Sequence, residues 1–203
     1  MPIDLQPLIE PDQTALVVFE CQEALLGASS PLPGLASSAK QVGLLSNISG
    51  LLAQARTAGA RVVYVVVAKR PDGVENPLNT PLERRIRSAG GVAFNAGPVC
   101  AEIAPVPGDV VIERQYGLTG FYESGLDATL RNCGVKTIVL AGVSLNLGVI
   151  GTTIEAVNRG YTVVVAKDCV AADPAEFAEP LLQFSLRNIA YLSSSEEISE
   201  IWR

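Results

Sequence analysis

Two charged residues and one turn of small residues follow apolar runs of the chain, and their types suit proton transfer and anion binding. Glu20 ends the run TALVVFE, Arg114 follows DVVIE, and the turn Val143–Gly148 lies just beyond TIVLA. A carboxyl group gives or takes a proton, a guanidinium binds anions, and the start of a helix favours negative charge. β-branched apolar runs predict buried parallel strands, whose carboxyl ends form one crevice. We therefore expect Glu20, Arg114 and Gly148 to meet there.

Each of these positions also has an ordinary structural explanation. A carboxylate after a strand is often a helix cap or half of a surface ion pair, and an arginine there is often solvated or paired with an acid. The sequence Gly142-Val143-Ser144 is not the GxSxG of a nucleophile elbow, so Ser144 is expected to cap the helix or shape the turn. Strand alternation directs Cys21 away from Glu20, which favours a core thiol over a nucleophile.

The chain of 203 residues contains no histidine. This excludes Ser–His and Cys–His couples and histidine-ligated zinc or iron sites. Four widely spaced cysteines without a CxxC motif are most simply free core thiols. We therefore expect neither a metal nor a cofactor, and acid–base chemistry must come from carboxylates, Lys, Arg, Tyr, Cys or water.

Composition limits the partners and the location. A net charge of −6 argues against nucleic acid as a partner, because phosphate binding needs a basic face. No apolar run reaches the roughly 18 residues of a membrane span, and the first 13 residues lack a basic start and an apolar signal core. We expect a cytoplasmic protein with no membrane contact and a single domain over residues 1–203.

Strand and helix patterns alternate along the whole chain, which predicts a three-layer, doubly wound α/β fold with about six parallel strands and helices on both faces. A connection over 70–97, rich in Pro, Gly and Asn, interrupts this alternation. The predicted strands are Thr14–Glu20, Arg61–Ala68, Asp109–Glu113, Thr137–Ala141, Thr162–Ala166 and Ala190–Leu192. The predicted helices are Ala39–Ala58, Pro81–Ala89, Gly125–Cys133, Asn146–Arg159, Pro174–Asn188 (with Asp173 as its N-cap) and Glu196–Trp202.

Four segments resemble the isochorismatase-like hydrolases, a superfamily that includes nicotinamidases, carbamoylsarcosine amidases and isochorismatases. The segments are TALVVFECQ, DVVIERQYGLTGFYESGLDATLRNCGVKTIVLAGVS, SLNLGVIGTTIEAVNRGYTVVVAKDCVA and DPAEFAEPLLQFSLRNIA. They run from about Thr14 to Ile189. The resemblance implies the α/β fold and a hydrolase that acts on a small molecule.

The resemblance does not extend to the catalytic residues. Members with amidase activity use Asp, Lys and Cys, where this chain aligns Glu20, Arg114 (with about one residue of slack) and Gly148. Glycine removes the thiolate, so covalent amide hydrolysis through residue 148 is excluded. Isochorismatases also lack the cysteine, and their acid protonates a vinyl ether. By this resemblance Glu20 is the general acid and Arg114 binds a substrate carboxylate.

The resemblance and the loop composition together suggest further contacts with the substrate. Val143 and Ser144 would offer backbone N–H groups, while Tyr116 and Phe121 would either form an aromatic wall over a planar ligand or simply pack a loop. A homo-oligomer is implied as well, with the loop 70–97 and Ile201-Trp202 as candidate contacts.

Two alternatives remain open. Because all three catalytic positions differ, one alternative is an inactive member that binds a small anion or a partner protein, with Glu20 and Arg114 as a buried ion pair. The other alternative is a displaced nucleophile, Cys21 or Ser144, although neither has an evident base.

Overall fold

A computed structural model describes residues 4–75, 78–90 and 96–203, so the loop predicted over 70–97 lies partly outside the described residues. Within these described residues, six strands form one sheet in the order β3-β2-β1-β4-β5-β6, and every neighbouring pair is parallel. The strands are β1 Thr14–Phe19, β2 Arg61–Val67, β3 Val110–Arg114, β4 Thr137–Val143, β5 Thr162–Ala171 and β6 Tyr191–Ser193. The predicted doubly wound parallel sheet is confirmed.

In the described part of the chain, eight α-helices accompany the sheet. They are α1 Glu23–Leu26, α2 Pro33–Gln41, α3 Leu44–Ala58, α4 Pro81–Gly90, α5 Leu126–Asn132, α6 Ile150–Asn158, α7 Ala178–Phe184 and α8 Ser195–Ile201. A π-helical turn, Leu145–Val149, leads into α6, and short 3-10 turns fill several connections.

Helices cover both faces of the sheet because side chains alternate along each buried strand. Leu16 and Val18 of β1 join the core cluster that contains apolar residues of α2, α3 and α8. Val17 and Phe19 join a second cluster with apolar residues of α5, α6 and α7. The helix–sheet–helix layers predicted from the sequence are therefore present.

The strand order reverses between β1 and β4, which are neighbours although two strands separate them in the chain. Ligands of open α/β sheets bind outside the carboxyl ends of the strands at such a reversal. Glu20 directly follows β1, and Ser144 directly follows β4. The topology thus directs attention to this edge.

Two helix predictions were wrong in their bounds. The predicted helix Ala39–Ala58 is divided into α2 and α3 by Gly43, which has a left-handed φ of 68°. The predicted helix starting at Pro174 begins only at Ala178, since a 3-10 turn precedes it and Asp173 does not act as its N-cap. The peptide bond between Asp173 and Pro174 is cis.

The C-terminal residues are tied to the rest of the chain. Trp202 is buried, and its indole N–H donates to the carbonyl oxygen of Ile9 at 2.9 Å. This position does not suit the expected contact with another protein through Trp202. In the part of the chain that is described, no helix has the length and apolar character needed to cross a membrane.

Candidate active site

Glu20 and Arg114 form an ion pair over the carboxyl edge of the sheet. Arg114 is the last residue of β3, and its Nη2 donates to Oε1 of Glu20. The side chain of Arg114 is 3% exposed and that of Glu20 is 16% exposed. Glu20 has a left-handed φ of 53°, which is uncommon for a residue with a side chain and turns the chain sharply as β1 ends. Two residues 94 positions apart thus meet, as predicted.

The guanidinium of Arg114 is held from several sides. Its Nη1 donates to the carbonyl oxygen of Tyr116 at 2.8 Å and also to that of Gly117. The Phe19 ring lies 5.7 Å from the guanidinium carbon, within range of a cation–π interaction. Nε of Arg114 is buried and has no hydrogen-bond partner among the described residues. Burial lowers the pKa of Arg114 to about 10, so the group stays charged at neutral pH.

Glu20, Arg114, Val143, Ser144 and Gly148 line one cavity of about 90 Å³. Much of the remaining wall is aliphatic, with side chains from α1, from α2 and the residue before it, from α4 and from the turn before α6. These include Leu25, Leu32, Leu35, Leu82, Ile86 and Leu147. A small apolar cavity with a few polar groups at one side is the usual form of a binding site for a small molecule.

Tyr116 and Phe121 were expected to contact substrate, but neither is among the described residues that line this cavity. The Tyr116 hydroxyl donates to a carboxylate oxygen of Glu75 at 2.7 Å. Phe121 is buried in the core beside Tyr161, with ring centroids 5.9 Å apart. The structure therefore places Tyr116 in a surface contact and Phe121 in the packing of the core.

Phe19 occupies the space that a side chain at position 148 would need. A Cβ atom built on Gly148 would overlap Cε1 of Phe19 and lie 3.0 Å from Cδ1 and Cζ. A Cβ atom on Gly142, which has a φ of 118°, would overlap the carbonyl oxygen of Phe19. Phe19 was not predicted from the sequence, where its one signal is an aromatic residue at the end of the run Ala-Leu-Val-Val.

Neither proposed substitute nucleophile is activated by its surroundings. The Ser144 side chain forms no helix-capping hydrogen bond, so of its two expected roles only that in the turn remains; its carbonyl oxygen accepts from the N–H of Val149 at 3.0 Å. The peptide bond before Ser144 is cis. Cys21 is buried in the core, where desolvation raises the pKa of its thiol. Because the thiolate is the reactive form, this surrounding disfavours Cys21 as a nucleophile.

A second ion pair lines the same cavity and was also missed. Lys69 lies two residues beyond β2, and its Nζ is 2.9 Å from Oε1 of Glu83 on α4. The side chains are 14% and 13% exposed. A lysine just after a predicted strand was visible in the sequence, but its partner lies in the irregular segment whose path no local pattern predicts. Among the described residues, no group of three or more His, Cys, Asp or Glu side chains is placed to hold a metal ion.

Comparison with known proteins identifies the family. Residues 14–197 match the model of the isochorismatase domain. An uncharacterised isochorismatase family protein, YecD, of Escherichia coli O157:H7 is 31% identical, over 91% of this chain and 94% of its own. The ureidoacrylate amidohydrolase RutB of Pseudomonas syringae pv. syringae is 28% identical, over 97% of this chain and 87% of its own.

A solved structure shows the same fold. The cysteine hydrolase from Pseudomonas syringae pv. phaseolicola superposes with a TM-score of 0.78 at 21% identity, covering 100% of this chain and 95% of that one. With the domain match and the 31% identical relative, this likeness leads to one conclusion: the chain belongs to the isochorismatase family of hydrolases.

Proposed function

We propose that this protein hydrolyses a small molecule without forming a covalent bond to its substrate, with Glu20 as the proton-transfer residue. One observation carries the proposal: the Glu20 carboxyl group and the Arg114 guanidinium meet at a cavity where residue 148 has no side chain. Relatives named as amidohydrolases support hydrolysis as the type of reaction.

The ion pair sets the order of proton transfers. A guanidinium beside a carboxylate stabilises its charged form, and the proposed reaction starts from the Glu20 carboxylate paired with Arg114. It takes a proton from a water molecule, and the resulting hydroxide attacks the substrate. Protonated Glu20 then donates that proton to the leaving group, which departs protonated, and Glu20 is again a carboxylate. The general-acid role expected from the resemblance is then the second step of the cycle.

Two groups are available to stabilise negative charge that develops on the substrate. Arg114 donates hydrogen bonds from Nη1 and Nη2 to other groups of the chain. Its Nε has no hydrogen-bond partner in the described part of the structure. The turn Leu145–Val149 also begins beside the cavity, and backbone N–H groups at a helix start favour an oxyanion.

The test is turnover on a panel of small amides, ureido acids and vinyl ethers, followed by Glu20→Gln on any substrate found. The amide side chain keeps the shape of Glu20 but transfers no proton, so we expect kcat/KM to fall at least about 100-fold. Glu113→Gln, an exposed glutamate on β3, is the matched control and should keep the wild-type rate. Equal rates for Glu20→Gln and the wild type would refute the role of Glu20.

A second candidate function is binding without catalysis. It is favoured by the Phe19 ring, which fills the space at residue 148, and by the hydrogen bonds that use Arg114 within the chain. In that case the panel gives no turnover, while a ligand of the cavity still raises the melting temperature. Turnover on any member of the panel that depends on Glu20 excludes this candidate.

A further inference from the structure

Two cations line the cavity, and their environments differ. Arg114 is almost completely buried and is held by Glu20 and by two backbone carbonyl oxygens. Lys69 has Glu83 as its one ionic or hydrogen-bonding partner in the described part of the chain. A ligand that carries a negative charge competes with a carboxylate for whichever of these cations it binds.

The Glu20–Arg114 pair is costly to separate. Removing one partner from a buried ion pair leaves an uncompensated charge away from water, and this is strongly unfavourable. Glu20 also follows the central strand β1 directly, so its backbone is fixed by the sheet, and its N–H donates to the carbonyl oxygen of Val65 at 2.9 Å. Arg114 is therefore a poor site for exchange with a ligand.

Glu83 has other partners when it leaves Lys69. Its Oε2 accepts a hydrogen bond from the Thr80 hydroxyl at 3.2 Å. Its backbone N–H donates to the Thr80 hydroxyl oxygen at 3.1 Å. It also lies in the first turn of α4, where the helix dipole stabilises a negative charge. Exchange at Lys69 therefore leaves no charge without compensation.

We propose that Lys69 is the carboxylate-binding residue of the cavity, and that a small aliphatic carboxylate binds by displacing Glu83 from it. The ligand's carbon chain then contacts Leu82 and Ile86, which line the same space. A cavity of about 90 Å³ admits only a molecule of a few heavy atoms. The inference rests on the proposed function in one respect, that the cavity binds a small molecule, and it moves carboxylate recognition from Arg114 to Lys69.

The experiment compares butyrate with the uncharged butyramide by isothermal titration calorimetry. We expect wild-type protein to bind butyrate more tightly than butyramide. Lys69→Met removes a charge-assisted partner and should weaken butyrate binding at least about tenfold. Glu83→Gln removes the competing carboxylate and should tighten it by a similar factor. Neither change should alter butyramide binding, and the exposed-lysine control Lys136→Met should match the wild type.

Folding is controlled with the double variant Glu83→Gln/Lys69→Met, which leaves no buried charge unpaired; it should bind butyrate as weakly as Lys69→Met. The proposal is overturned if Lys69→Met and wild-type protein bind butyrate equally, if Glu83→Gln does not tighten binding, or if butyrate binds neither the wild type nor Glu83→Gln. Failure of the catalytic proposal would appear separately, as unchanged rates in Glu20→Gln, and would leave these binding constants as predicted.

Discussion

At the scale of single residues, the Glu20–Arg114 pair determines both stability and chemistry. Arg114→Met leaves the buried Glu20 carboxyl group without its partner, so we expect the free energy of unfolding to fall by about 3–5 kcal/mol. Urea denaturation measures this change. The control is Arg70→Met, which breaks an exposed pair with Asp72 and should cost no more than about 1 kcal/mol. If both variants lose the same free energy of unfolding, the buried pair contributes no more to stability than an exposed pair.

Phe19 and Gly148 form a matched large and small pair. Gly148→Ala should lower the free energy of unfolding by about 1–3 kcal/mol, because its methyl group would overlap a buried ring. Adding Phe19→Leu should recover part of this loss. Gly50→Ala on α3 is the control: apart from the adjoining helix backbone, nothing lies within 4 Å of a Cβ atom built there, and the change should stabilise the protein by about 0.5–1 kcal/mol. The contrary result is a Gly148→Ala variant as stable as the wild type.

The same pair affects any attempt to restore a nucleophile. Gly148→Cys alone places the new side chain against Phe19, so we expect neither a reactive thiol nor amidase activity from it. Phe19→Val/Gly148→Cys provides the space. The rate of alkylation by iodoacetamide distinguishes the two variants, and it should be faster in the double variant. Equal rates would contradict the view that Phe19 fills this position.

At the scale of elements, the sequence predicted the strands β1 to β6. Runs rich in β-branched residues indicated β1 to β5, whereas β6 was predicted from the short segment Ala190–Leu192, which has no β-branched residue. Helix ends were predicted less well. Apolar periodicity continues from Val42 to Leu45 across the break between α2 and α3, so the pattern did not show that Gly43 divides the helix. The turn before α6 is π-helical, a form that has no recognisable spacing of apolar residues.

The N-terminal cap of the last helix, α8, can be tested by substitution. Ser194 and Glu197 form a capping box, in which the Ser194 side chain accepts from the Glu197 N–H and Glu197 Oε2 accepts from the Ser194 N–H at 2.9 Å. Ser194→Ala should lower the free energy of unfolding by about 1 kcal/mol in urea denaturation. Ser37→Ala, an exposed serine within α2, should change it by less than about 0.5 kcal/mol. A cap that contributes nothing would leave the two variants alike.

At the scale of the whole molecule, the fold determines which residues share the cavity. Glu20 and Arg114 were predictable as a pair because strand ends of one sheet converge. Lys69 and Glu83 were not, since their contact depends on where α4 packs within an irregular connection. Nor was the position of the Phe19 ring, because a strand pattern gives the face of a side chain but not the space it fills.

The pH dependence of stability also belongs to the whole molecule, since it sums the groups whose pKa changes on folding. Burial raises the pKa of Cys21 and Cys169 far above the usual range, and that of Cys100 to about 11. These thiols titrate near pH 8.5 in an unfolded chain. Because their folded pKa values are raised, their stabilising contribution is complete below about pH 8.5 and is lost as pH rises towards the folded values.

We therefore expect the free energy of unfolding, measured by urea denaturation from pH 7 to pH 10.5, to fall above about pH 8.5 by about 1 kcal/mol per pH unit for each buried thiol. Cys21→Ala removes one such thiol and should reduce the slope by that amount, whatever it does to the stability at pH 7. Val18→Ala truncates a neighbouring core residue that does not titrate, so it should lower stability at every pH and keep the wild-type slope. If Cys21→Ala and Val18→Ala have the same slope, the fall in the free energy of unfolding at alkaline pH does not come from buried thiols. The Cys21 thiol is then more exposed to solvent than its packing in the core indicates.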